Sequence, residues 1–223
     1  MTSNSGGTLL GSYLSCLGQF DLRLNSTSTP DIVGKGEAEF KTAGHTVLVR
    51  YMQFTHEWLF FHKVEAAAAW LFYTTKHDLI EERVTFNLQL EEKTDLTAEA
   101  STGEWLFAAE FESGVRQLHI GTEDEEAMAQ RAVAKDWMPP RLLPLLTDHN
   151  TALSTLSPDN MGICTVVPQL NVGEQFYFHY VLAENPSRES IDYPGEIDIA
   201  TWFAVNQSKH RLEKAWYEHK KSL

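Results

Sequence analysis

A chain of 223 residues that is 43% hydrophobic and 11% aromatic carries too much apolar surface to stay unfolded, and it has the length for one large domain or two small ones. Its formal charge of −13, from 31 acidic against 18 basic side chains, repels nucleic-acid phosphates and anionic membrane surfaces but permits a basic protein partner. Two cysteines, Cys16 and Cys164, exclude the disulfide framework of a small secreted scaffold.

No lysine or arginine precedes Arg23, so the opening stretch lacks the charged n-region of a signal peptide, and a reducing cytoplasm is the expected setting. The longest apolar run, Val64 to Tyr73, is about ten residues long, against the roughly 20 that a membrane helix requires. No membrane span and no direct contact with nucleic acid are expected.

Residues 1–30, rich in Ser, Thr and Gly at the start and interrupted by Pro30, are expected to be flexible or loop-like. Residues 31–223 then form a single α+β domain, with 139–160 as the place where it would subdivide. Gly36 to Thr42 and His45 to Phe54 read as two antiparallel strands joined tightly at Ala43-Gly44, with Val47, Val49 and Tyr51 on one face. The stretch from His56 to Thr75 is ambiguous: its run Ala66 to Ala69 favours a helix, while its aromatics would also suit a buried strand.

Val84, Phe86, Leu88 and Leu90 alternate with polar residues, the signature of a half-buried strand. Trp105, Phe107, Ala109 and Phe111 repeat the pattern, then Ser113-Gly114 turns into Val115 to Ile120, giving a meander. Thr122-Glu123-Asp124-Glu125 has the spacing of a capping box, which predicts a helix from Glu123 to about Trp137 stopped by Pro139 and Pro140. Arg141 to Asp159 reads as a short helix plus connector.

Gly162 to Val167, Gln175 to Ala183 and Glu196 to Val205 read as strands, with an exposed loop at Asn185 to Pro194. Asn206 is a suitable cap for a last amphipathic helix running to about Lys221, with Leu212, Ala215, Trp216 and His219 on its apolar stripe. Lys209 with Glu213, and Lys214 with Glu218, are spaced for ion pairs on its far face. The fold class is therefore α+β: mainly antiparallel sheet in a meander, with curling or barrel-like closure open, a central helix and a C-terminal amphipathic helix.

Charge is segregated along the chain. Between Asp78 and Glu126 lie fourteen acidic and three basic side chains, a net −11, whereas the last helix carries five basic and two acidic, a net +3. Such carboxylates either keep the wet faces of strands soluble or build a surface that draws in a basic protein. A cation site on Glu123 to Glu126 lacks the alternating ligands and central glycine of a calcium loop.

Chemical motifs are scarce. His56-Glu57 and His62 lack the one-turn spacing of a zinc helix, Cys16 and Cys164 have no C-x-x-C companion, and no nucleophile elbow, phosphate loop or dinucleotide fingerprint occurs. The aromatic strand Phe176-Tyr177-Phe178-His179-Tyr180 is the most unusual local feature, with large side chains on both faces. A central strand covered on both sides explains it, as does a cavity or partner-binding surface lined by Tyr177 and His179.

Charge, size and missing motifs point to a binding protein without enzymatic activity, an inhibitor or immunity-type antagonist that neutralises a basic protein through Glu91, Glu92, Glu123, Asp124, Glu125 and Glu126. Two other readings stay open. One is a small-molecule-binding or enzymatic α+β barrel whose aromatic-lined pocket uses Tyr177, His179 and Tyr180. The other is a homo-oligomeric structural subunit pairing through a strand edge or the Trp216 face. No catalytic residue, metal ligand or cofactor is assigned.

Overall fold

The computed structural model describes residues 7–28, 30–55, 64–91, 96–113, 116–148, 151–185 and 201–222. Alternating apolar residues in most of these segments need a surface to cover, and two stacked antiparallel sheets supply it. The smaller sheet has the order β1-β2-β7-β12-β11 and the larger the order β3-β4-β5-β6-β13-β10-β9-β8. In chain order the strands are β1 (Thr8–Ser15), β2 (Gly18–Leu24), β3 (Pro30–Gly34), β4 (Glu37–Lys41), β5 (His45–Thr55), β6 (Ala66–Lys76) and β7 (Thr85–Leu90). They continue with β8 (Glu99–Gly103), β9 (Leu106–Ser113), β10 (Arg116–Glu123), β11 (Ser154–Leu156), β12 (Gly162–Val166) and β13 (Gln175–Asn185).

Helix α1 (Glu125–Ala134) follows β10, a 3-10 turn (Pro140–Leu142) leads into α2 (Leu143–Leu146), helical residues 201–205 form α3, and α4 (Lys209–Ser222) ends the chain. Among the described residues no helix is long and apolar enough to cross a membrane.

The larger sheet is buried on both faces at its centre. Along β6 the side chains of Ala68, Trp70 and Phe72 point into the space between the sheets, while Ala67, Ala69, Leu71 and Tyr73 point the other way. The inter-sheet core closes on Phe72, whose ring stacks on Phe178 at 4.5 Å and meets Phe86 of the smaller sheet at 4.9 Å. Each such buried side chain contributes about 1.5–3 kcal/mol of apolar transfer energy. The outer face of the larger sheet is covered by Ala204 and Val205 of α3 and by Leu212, Ala215 and Trp216 of α4. Arg50 of β5 pins α4 there, lying 4.3 Å from the Trp216 ring centre and donating to Glu37 at 2.8 Å, while Lys220 of α4 reaches the other Glu37 oxygen at 3.1 Å.

The mainly antiparallel α+β architecture is as the alternation predicted, but neither sheet closes into a barrel, since the end strands of each order do not pair with one another among the described residues. The meander expected from Val84 to Ile120 is split: β7 joins the smaller sheet, between β2 and β12, while β9 and β10 belong to the larger. Residues 8–24, expected to be loop-like, form the β1–β2 hairpin, because Phe20, Leu22 and Leu24 fill the inter-sheet core. Met138, Leu142, Leu146 and Leu153, around the expected subdivision, belong to that same core.

Ala66 to Thr75, weighed as helix, is the strand β6. It pairs along its length with β5 on one side and β13 on the other, and that tertiary demand overrides the helical preference of alanine. Residues 201–205, expected as the end of a strand, are helical.

The helix caps also differ from expectation. Thr122 lies inside β10, and Asp124 caps α1 by accepting from the Ala127 amide at 2.9 Å, while Lys135, in the left-handed region, ends the helix before the prolines. Asn206 does not cap α4; its side-chain amide donates to the Glu104 carbonyl at 3.2 Å. Lys209 and Glu213 do pair at 3.0 Å, but on a buried flank of α4. His56, Glu57, His62, the turn residue Gly114 and the loop expected at 186–194 lie outside the described residues.

Candidate functional site

Strand β8 returns into β9 through a two-residue turn, Glu104-Trp105, between the paired residues Gly103 and Leu106. Both turn residues are left-handed, with φ of 50° and 70°, the mirror-image geometry that suits the twist of a hairpin and normally selects Asn and Gly. A residue with a Cβ pays about 1–2 kcal/mol to sit there. Trp105 is nevertheless placed in this position and remains 51% exposed. The turn is held by the Asp124 amide, which donates to the Trp105 carbonyl at 3.1 Å, and by Asn206 on Glu104.

Trp105 stands at the lip of a cleft of about 320 Å³. One wall is the face of α1 carrying Ala127, Gln130, Arg131 and Ala134, and the other is the α3–α4 link from Asn206 to His210. Helical spacing explains the first wall, since residues three, four and seven apart share one face. At the base, Arg131 donates to the Glu123 carboxylate at 2.7 Å, to the Tyr177 carbonyl at 2.5 Å and to the Asp136 carbonyl at 3.2 Å. Its guanidinium also lies 4.9 Å from the centre of the Tyr177 ring.

Lys209 bridges Asp136 and Glu213, each at 3.0 Å, and its amide approaches Glu123 at 3.4 Å. Each cation of this cleft therefore has an anion beside it. Gln207, only 4% exposed, donates to the Phe203 and Ala204 carbonyls, and its own buried carbonyl oxygen has no donor among the described residues.

Behind this floor lie two residues that the sequence singled out. The Tyr177 hydroxyl and His179 Nδ1 are 3.2 Å apart, and His179 Nε2 looks toward the Gln207 backbone without closing a hydrogen bond. Burial pushes the Tyr177 phenol well above its ordinary value and His179 down to about 4, so both are neutral near pH 7. Tyr180 is separated from them: it points into the inter-sheet core, and its hydroxyl donates to the Phe86 carbonyl at 3.3 Å. Tyr177, His179 and Tyr180 are all fully buried, so they do not line one open pocket.

The acidic candidates are dispersed in role. Glu123 is buried against Arg131, Asp124 is the cap of α1, Glu125 accepts from the Leu153 amide at 2.9 Å, and Glu91 pairs with Arg23 at 3.2 Å. Glu126 is exposed on the first turn of α1, and Glu92 lies outside the described residues. The structure thus brings Glu123 together with Tyr177 and His179 and leaves the others apart. Sequence reasoning missed Trp105, which alternation assigned to a strand face, and Arg131. The signal for Trp105 was Gly103-Glu104-Trp105 standing between two strand-like runs.

One alignment resembles a nucleophile, base and carboxylate: the Thr201 hydroxyl is 3.1 Å from His119 Nδ1, and His119 Nε2 is 3.4 Å from Glu110. The hydroxyl proton has a nearer acceptor in Gln117 at 2.7 Å, and Thr201 is fully buried, so the cluster clamps α3 to β10. Among the described residues no group of three or more His, Cys, Asp or Glu side chains could hold a metal ion. Cys16 and Cys164 are free thiols, and burial pushes Cys16 up to about 12. No protein-family model matches the chain, and no curated protein matches it.

Proposed function

We propose that the protein is a binding protein whose cleft beneath Trp105 takes a neutral, hydroxyl-rich ring, that is, a saccharide unit. The observation that carries this reading is Trp105 itself: a large aromatic half exposed, on strained backbone, at the mouth of a cavity. Local rules broken at one position mark sites kept for a purpose other than stability. A pyranose presents C–H groups on one face and hydroxyls around its edge. The first suits the flat indole, and the second suits walls that alternate donors and acceptors.

Charge balance favours a neutral ligand. Arg131 and Lys209 are each paired, with Glu123 and with Asp136 and Glu213, so two cations face three carboxylates and no unpaired cation is left to draw an anion. At about 320 Å³ the cleft is at the small end of ligand sites, sized for one ring.

The test is isothermal titration with a panel of neutral mono- and disaccharides against the full chain and Trp105→Asn, a residue that suits the turn. Binding by the parent, weakened at least about tenfold in the variant, is the expected result, equivalent to about 1.4 kcal/mol. Equal affinity in both, or no binding of any sugar, would refute it. The second reading, an acidic antagonist of a basic protein, is supported by the exposure of Glu126 and Glu91. Capture of a basic probe such as cytochrome c, lost on Glu126→Lys with Glu91→Lys and retained in Trp105→Asn, would favour it instead.

A further inference from the structure

A second cavity, of about 450 Å³, opens where the start of β5, the end of β6 and the lead into β7 meet the end of β12. It is lined by His45, Lys76, Glu81, Glu82, Arg83 and Gln169, with an apolar wall from Val84, Val166, Val167 and Leu170. Lys76, the last residue of β6, is 7% exposed. Its ammonium donates to the Ile80 carbonyl at 2.9 Å, and it forms no ion pair among the described residues. An ammonium has three N–H donors, and a buried cation is ordinarily matched by an anion.

Among the described residues neither carboxylate of the cavity forms an ion pair with Lys76, and Glu82 is taken up by other donors. Glu82 accepts from the Ser26 and Thr42 hydroxyls and the Gly44 amide, and it lies 3.3 Å from His45 Nδ1. Glu81 accepts from the Gln169 amide at 3.2 Å. Arg83, exposed at the rim, makes no side-chain ion pair among the described residues. His45 sits directly opposite Lys76 in the β5–β6 register, and with Nδ1 turned to Glu82 it has only Nε2 left for the cavity.

Two cations, Lys76 and Arg83, neither in an ion pair among the described residues, therefore line one cavity. We propose that this cavity is a second ligand site, independent of the Trp105 cleft, that binds a small oxyanion, a carboxylate or a phosphate, through Lys76 and Arg83. The planar fork of Arg83 takes two oxygens side by side, and Lys76 closes on one oxygen from within. The valine and leucine wall accommodates a short apolar body attached to the oxyanion. The overall charge of −13 does not recruit such a ligand from a distance, so affinity rests on the two cations at short range.

The experiment is isothermal titration of the full chain with inorganic phosphate and, separately, with valerate, each against sodium chloride at matched ionic strength. Saturable binding of at least one, weakened about tenfold or more by Arg83→Gln and abolished by Lys76→Met, is expected, with Trp105→Asn unchanged. Phosphate and valerate arms separate the two kinds of oxyanion. No saturable binding beyond chloride, or affinities unaltered in Arg83→Gln, would overturn the proposal. Arg83 is exposed and its replacement leaves the core intact, so that variant decides the matter even where Lys76→Met does not fold.

Discussion

Replacing Arg131 by Met removes the cation from a pair whose members are 9% and 7% exposed at the side chain. It deletes the 2.7 Å bond to Glu123, the donations to the Tyr177 and Asp136 carbonyls and the contact with the Tyr177 ring, and among the described residues it leaves the buried Glu123 carboxylate with a 3.4 Å approach from the Lys209 amide alone. An uncompensated buried charge of this kind costs about 3–5 kcal/mol. For a chain of this length that is a fall in Tm of roughly 6–20 °C. Glu123→Leu alone should cost about as much, because it strands the guanidinium instead.

The double variant Glu123→Leu/Arg131→Met removes both charges and should lose only about 1–3 kcal/mol, mainly from the carbonyls left without a donor. The coupling between the two sites should then be roughly 3 kcal/mol or more. Urea unfolding followed by far-UV circular dichroism, with the slope unchanged across the set, measures it. A loss below about 1 kcal/mol for Arg131→Met, or a coupling below about 0.5 kcal/mol, would refute the claim that Glu123 is an internal partner and return it to the surface.

His179 has a folded value of about 4 against 6.5 when free, so the unfolded chain binds more protons between those limits. Its stability contribution is complete above pH 6.5 and is lost as pH falls toward 4, by about 3 kcal/mol at most. Denaturation midpoints of His179→Gln should show a shallower slope than the parent across that window. Glu82, held by hydroxyl, amide and imidazole donors, is lowered from 4.5 to about 2, so its contribution is present above pH 4.5 and lost as pH falls through 2. Glu82→Gln should be less stable near neutrality and flatter in its acid limb. Gly121→Ala should destabilise by roughly 1–3 kcal/mol, because a Cβ there would lie 2.8 Å from Leu106 Cδ1 and from Val205; thermal unfolding reads the loss.

Several elements were legible from local pattern. The strict alternation from Val84 to Leu90 became β7, the hairpin at Ala43-Gly44 became β4 and β5, and Leu212, Ala215 and Trp216 docked α4 as one stripe. What escaped was non-local. Alternation tells which side chains share a face but not which sheet receives them, so nothing in β7 announces that it pairs with β2 and β12. The capping box at Thr122 failed because Thr122 and Glu123 were wanted by β10, and the next acidic residue took the cap. Trp105 was hidden by the same alternation that made its strand visible.

Composition alone required a chain of this length to fold, and periodicity required it to do so mainly as antiparallel strands with an apolar helix stripe at the end, since burial of those faces is the dominant gain. Whether a carboxylate faces water or a cation was decided only by the tertiary structure. Glu37 meets Arg50 across a hairpin but Lys220 across 183 residues of sequence, and Glu123 turns inward to Arg131 although its neighbour Glu126 stays exposed. Charge counts are sums over sequence, whereas electrostatic partnership depends on distances of a few ångströms, and only the packed chain sets those.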